Sequence, residues 1–193
     1  MANNTDTIII QAARRVFITH GYKRANMSLI SKEAGFSRVT IHKHLNNKDD
    51  AFRKSIEYIL AESRIACGPI MEQARLDLPC WQAIENLLKF WITPTFEEVG
   101  DHLILQELKY YAQEIAQDLF NDAHADLEHM LEQVLIMAIN AQTINLKPLN
   151  LDAAKLAGLI VASASGLRTR FGEDDMQKTT QQFIKVFQQA TVI

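Results

Sequence analysis

Residues 26–48, NMSLISKEAGFSRVTIHKHLNNK, admit few backbone arrangements. Ala34 and Gly35 close a short segment of apolar periodicity, and a glycine just past such a segment takes the left-handed cap conformation that residues with a Cβ resist. Ser37 then stands where an N-cap is needed, its hydroxyl able to accept an amide N–H that the start of a second helix leaves unpaired. Asn26 or Ser28 can cap the first helix in the same way. At about 100° per residue, Ile41 and Leu45 point toward a core shared with Ile30 and Ala34, while Val39, Thr40 and Lys43 point nearly opposite. Arg38, His42 and His44 flank them, and the segment from Ser37 to His44 holds no carboxylate. Such a face can donate hydrogen bonds to phosphates and base edges and can touch thymine methyls. The spacing predicts a helix-turn-helix whose second helix enters a major groove. A glycine between two short helices is also a common corner in all-α proteins, so the flanking sequence has to decide.

Charge is segregated along the chain. Residues 1–56 carry ten Lys/Arg against four Asp/Glu, whereas the remaining residues carry ten against nineteen, and the whole chain nets −3. A basic head on an acidic body fits a modular binder of polyanions better than a simple enzyme. With 48% hydrophobic residues, seven glycines and four prolines in 193 residues, the chain can bury a sizeable core and needs no strand. We expect an all-α protein of about nine helices, divided into a head, residues 1–56, and a body, residues 57–193. The uncharged stretch Leu156–Leu167 is about half of what spans a bilayer, and the polar start MANNTDT lacks a signal peptide's regions. Two cysteines, Cys67 and Cys80, are too few for a disulfide framework, so a cytoplasmic location is expected.

The first helix, Asp6 to His20, places Ile9, Ala13, Val16 and Phe17 on one stripe and stops at Gly21. After the turn motif, Asn47 can cap a fourth helix whose seam runs Phe52, Ile56, Ile59, Leu60 to Ile65. In order, Ile10-x-Ala12-Ala13-x-x-Val16-Phe17-x-x-x-Gly21-Tyr22, then Ile30, Ala34-Gly35, Ser37-Arg38-x-Thr40 and Lys48 with its acidic followers form an ordered pattern over roughly residues 6–56. This pattern resembles the TetR family of transcriptional regulators. Four positions depart from it: Ser31 for a small alanine, His42 for tyrosine, Leu45 for phenylalanine and Ala51 for leucine. Those at 31, 45 and 51 read as size changes that packing absorbs, whereas His42 would set an imidazole where an aromatic usually touches the DNA backbone.

The resemblance implies a three-helix DNA-binding domain followed by a helical effector-binding and dimerisation domain. Arg38, Thr40 and Lys43 are the first candidates for base or phosphate contacts, with Ser28, Ser37, Val39 and His42 beside them and Tyr22, His44 and Lys48 gripping the backbone. The body would enclose a pocket for a small apolar or amphipathic ligand, with candidate walls Met71, Trp81, Leu88, Trp91, Phe96, Tyr110, Tyr111, His124, Met130 and Met137, although aromatic and methionine stripes at helical spacing also build cores. Gly68-Pro69 is expected to break the fourth helix, and separate helices are expected over 101–116 and 118–140. The last two helices, about 151–171 and 175–190, would pair with their copies in a homodimer through Ala157, Ile160, Val161, Ala164, Phe183 and Phe187.

Catalytic constellations are missing from the sequence: it has no Gly-x-Ser-x-Gly, Walker loop, Gly-x-Gly-x-x-Gly or His-Glu-x-x-His. No histidine pair has good metal-ligand spacing, so no metal or cofactor is expected. The expected function is that of a non-enzymatic, sequence-specific DNA-binding regulator, most simply a repressor released by its ligand from a near-palindromic double-stranded operator. A low-specificity structural DNA binder, or a helical enzyme acting on a phosphorylated substrate, remains an alternative at this point.

Overall fold

The computed structural model describes residues 4–92, 98–170 and 173–191, without the side chains of residues 4, 90–92, 167–170 and 173–177. The described residues form eight α-helices and one 3-10 turn, with no strand. The helices are α1 (Asn4–Arg24), α2 (Met27–Ala34), α3 (Arg38–His44), α4 (Lys48–Leu76), α5 (Cys80–Ile92), α6 (His102–Asn140), α7 (Ala153–Arg170) and α8 (Glu173–Ala190), with the 3-10 turn at Lys147–Leu149. The two helices expected over 101–116 and 118–140 adjoin without a loop and meet at a kink, where Ala116 leaves helical angles with φ −138 and ψ 22.

The chain divides into two compact units, and the division is not a single cut after residue 56. The first unit holds residues 1–62 and also 94–121; the second holds 63–93 and 122–193. The reason lies in the first half of α6 and the residues just before it. Val99, Ile104, Leu108, Ala112 and Ala116 are buried in one cluster with Ile9, Val16, Phe17, Ile30, Ile41, Leu45, Phe52 and Ile56. Three short helices bury too little apolar surface to hold themselves, and this segment completes their core. Phe17 packs edge-on against Phe52 at 4.8 Å, Phe52 lies 5.2 Å from Tyr22, and Tyr22 stacks on Tyr111 at 3.9 Å.

In the second unit, Ile84, Leu87 and Leu88 of α5, Leu127, Leu131, Val134 and Leu135 of α6, and Leu156, Ala157 and Ile160 of α7 form a second buried cluster. Each large aliphatic side chain so buried contributes roughly 1.5–3 kcal/mol relative to exposure. Pro69 does not break α4, contrary to the sequence expectation. It is exposed, as is Ile65 one turn earlier, so the proline lies on the solvent side of the helix, where water can take the place of the missing donor.

Candidate nucleic-acid interface

The corner between α2 and α3 is built as its residues require. Asn26 caps α2, its Oδ1 accepting from the Ser28 and Leu29 amides at 3.0 Å each. Gly35 takes φ 72 and ψ 17, and its N–H donates to the Lys32 carbonyl while that of Phe36 donates to Ser31. Ser37 caps α3 by accepting from the Thr40 amide at 3.1 Å, and its hydroxyl lies 3.0 Å from that of Thr40. Ser31 does more than fill space: its hydroxyl donates to the Phe36 carbonyl at 2.6 Å and ties the end of α2 across the turn. Ile41 and Leu45 then anchor α3 with essentially no exposure.

What remains outside is cationic and polar. Ser37, Arg38, Val39, His42 and Lys43 are exposed and Thr40 is half-exposed. The acids of the head are engaged elsewhere: Asp6 with His44, Glu33 with Arg15 at 2.6 Å, Asp49 with the Tyr22 hydroxyl, and Asp50 with Lys54 at 3.2 Å. Among the described residues Arg38, His42 and Lys43 form no ion pair with them. A face that presents donors, lacks carboxylates and is held by a rigid core matches the polyanion and the acceptor-rich base edges of duplex DNA.

Residues 9–53 match the model of "Bacterial regulatory proteins, tetR family". The whole chain is similar in structure to a TetR transcription regulator from Haloarcula marismortui, with TM-score 0.76, 20% identity and coverage of 98% of this chain and 99% of that one. It is similar also to the fatty acid degradation regulator FadR from Bacillus halodurans, with TM-score 0.67, 18% identity and coverage of 96% and 95%. A third similar structure is that of a SmeT–triclosan complex, with TM-score 0.64, 17% identity and coverage of 99% and 93%. Residues 9–53 thus match the N-terminal domain of TetR regulators, and the chain shares its fold with these solved structures. No curated protein matches it.

Three backbone-gripping candidates make contacts inside the protein, and Tyr22 packs back into the core, the other role its place beside Gly21 allows. Tyr22 is buried, with its hydroxyl donating to Asp49 and its ring between Phe52 and Tyr111. Burial first, and the Asp49 contact second, push its pKa well above the ordinary tyrosine value. Lys48 lies over the Tyr22 ring at 4.2 Å and donates to the Tyr22 carbonyl at 3.3 Å. His44 turns inward to Asp6. In the fold an aromatic cluster and the Asp49 carboxylate hold the tyrosine, and the ring and carbonyl of that tyrosine hold the lysine. Ser28 is exposed on α2.

The effector-pocket candidates scatter. Tyr110 and Tyr111 belong to the first unit, Tyr110 open to solvent and Tyr111 stacked on Tyr22. Met71, Trp81 and Leu88 are buried in the second core, with Met130 and Met137 packed against it. His124 lies 3.2 Å from the Ser165 hydroxyl. The side chain of Trp91, and Phe96 altogether, lie outside what is described.

The dimerisation candidates on α7 lie on its inward side. Ala157, Ile160, Val161 and Ala164 are buried inside the second unit, and Phe183 and Phe187 of α8 pack against that core. The helix is apolar on two sides, and the aliphatic side goes to the chain's own core. The side left outward carries Leu159, 47% exposed, and Ala162; on α8 Val186 is 64% exposed.

Residues that sequence reasoning missed hold the head together. The Glu107 carboxylate accepts from the Lys23 backbone amide beside Gly21, which has φ 75. Arg53 donates to the Ile115 carbonyl at 2.9 Å and to Asp118 at 2.7 Å, and this hydrogen bond holds the Asp118 carboxyl down at about 2. These partners lie more than 60 residues apart in sequence, beyond any local pattern. Among the described residues no helix is long and apolar enough to cross a membrane, and no group of three His, Cys, Asp or Glu could hold a metal ion.

Proposed function

We propose that this chain is a homodimeric, sequence-specific DNA-binding transcriptional regulator, a repressor released when a small apolar or amphipathic ligand binds its second unit. The observation that carries the reading is the α3 face: Arg38, His42 and Lys43 exposed around Val39 and Thr40, with the acids of the head engaged elsewhere. Cytoplasmic action follows from such a role. The family resemblance supplies symmetry. Two copies related by a two-fold axis would present two α3 helices to half-sites about 34–36 Å apart or a multiple of that. The outward stripe of α7 and α8 around Leu159, Ala162 and Val186 is the surface offered for pairing.

The ligand class draws support from the SmeT–triclosan complex and the fatty acid degradation regulator, whose fold this chain shares. A buried cluster rich in Met71, Trp81 and Leu88 with Met130 and Met137 at its edge suits an apolar guest, because methionine side chains repack readily. Ligand binding that favours one position of α4, which runs unbroken from Lys48 to Leu76, would change the spacing of the two reading helices and lower operator affinity. Useful coupling of this kind is roughly 5–150-fold.

Fluorescence anisotropy with duplex from the gene's own upstream region and with random duplex, at physiological salt, tests the reading. The specific duplex should bind at least about 10³-fold tighter, and Lys43→Ala should weaken it more than it weakens random duplex. Equal affinity for the two duplexes, with a steep salt dependence, would instead mark a low-specificity structural binder.

A further inference from the structure

Val39 is the one apolar side chain that α3 turns outward, and it is 72% exposed. Nothing in the free protein rewards it there. A β-branched residue lowers helix propensity, and an exposed isopropyl group gains no burial. Its surroundings are polar: Arg38 and Thr40 adjoin it in sequence, and His42 and Lys43 follow one turn later, the positions that flank it on the helix surface.

The floor of a B-DNA major groove displays one apolar group in unmodified DNA, the C5-methyl of thymine. The same thymine edge carries the O4 acceptor next to that methyl, whereas cytosine carries no methyl and sets an N4 donor in place of O4. A valine flanked by the Lys43 ammonium therefore complements thymine twice, through the methyl and through the acceptor. Cytosine would leave the valine unpaired and bring a donor toward the lysine. From this geometry we infer that Val39 is a specificity-determining residue that seats the C5-methyl of one thymine in each half-site. The inference rests on the reading of α3 as the DNA-contacting helix and adds to it the identity of a base and the atom recognised.

The test begins with sequences selected by the full-length protein from a random duplex library. Each thymine of the selected duplex is then replaced singly by deoxyuridine, which removes the methyl and leaves Watson–Crick pairing intact. Loss of one methyl contact should weaken binding about fourfold at one thymine per half-site. In Val39→Ala that thymine-to-deoxyuridine ratio should fall to near one. Val39 is open to solvent, so the variant should keep the wild-type circular dichroism spectrum and thermal midpoint. A selected sequence at which no thymine is methyl-sensitive would overturn the inference alone, as would a ratio that survives in Val39→Ala. A library that yields no preferred sequence would overturn the reading of α3 as a sequence reader, and this inference with it.

Discussion

Ser31 and Tyr22 carry more structural duty than their places in the sequence suggest. The Ser31 hydroxyl bridges to the Phe36 carbonyl across the corner. Ser31→Ala leaves that part-buried carbonyl without its donor and should cost about 1 kcal/mol in urea denaturation. Tyr22 donates to a carboxylate from a buried position, a class of hydrogen bond that contributes roughly 1.5–3 kcal/mol. Tyr22→Phe should lower stability by about that amount at neutral pH. The pH dependence has a definite sign. Burial and Asp49 raise the folded-state pKa of Tyr22 above the ordinary tyrosine value of 10.0. Its contribution is therefore fully present below about pH 10 and is lost as pH rises toward the folded value. The stability gap between wild type and Tyr22→Phe should be flat from about pH 7 to 9 and shrink above about pH 10. A gap that widens in alkali would contradict the assignment of the Tyr22–Asp49 contact. Lys43→Ala, on an exposed side chain, should change stability by less than about 0.5 kcal/mol.

The α2–α3 corner was legible almost in full, because its determinants are local. Gly35 at positive φ, the Ser37 cap, and inward Ile41 and Leu45 all follow from residue type and spacing. Gly35→Ala should cost about 1 kcal/mol although its Cβ would meet nothing within 4 Å, since the penalty lies in φ 72 and not in space. Chemical denaturation of that variant measures it. The recruitment of the first half of α6 into the head was not legible. Leu108, Ala112 and Ala116 form an ordinary apolar stripe, and only tertiary packing decides which core it joins. Pro69 was misread because its cost depends on whether the carbonyl four residues back reaches water, which sequence does not reveal. Which side of α7 turns inward was not legible for a related reason. Where small and apolar residues occupy two faces, periodicity defines the stripes but not their assignment.

For the whole molecule, the surface proposed for pairing is the outward side of α7 and α8. A charge at Ile160, fully buried, should unfold the second unit, whereas Leu159→Glu together with Val186→Glu should leave the fold intact and shift a dimer to monomer in sedimentation velocity. Unchanged dimerisation in the double variant would move the interface elsewhere. The charge layout serves the same architecture. By residue number the first 56 residues are basic and the rest acidic, but the mostly acidic residues 57–62 and 94–121 join them in the first unit, so the positive charge offered to DNA is local to the α3 face. Methylation interference at guanine N7 tests the central claim most directly, because N7 is an acceptor on the major-groove edge. Two clusters of interference with centres about 10 bp apart, or a multiple of it, are predicted for the wild-type protein on its selected duplex. A single cluster, or interference confined to adenine N3 in the minor groove, would contradict a pair of α3 helices reading successive major grooves.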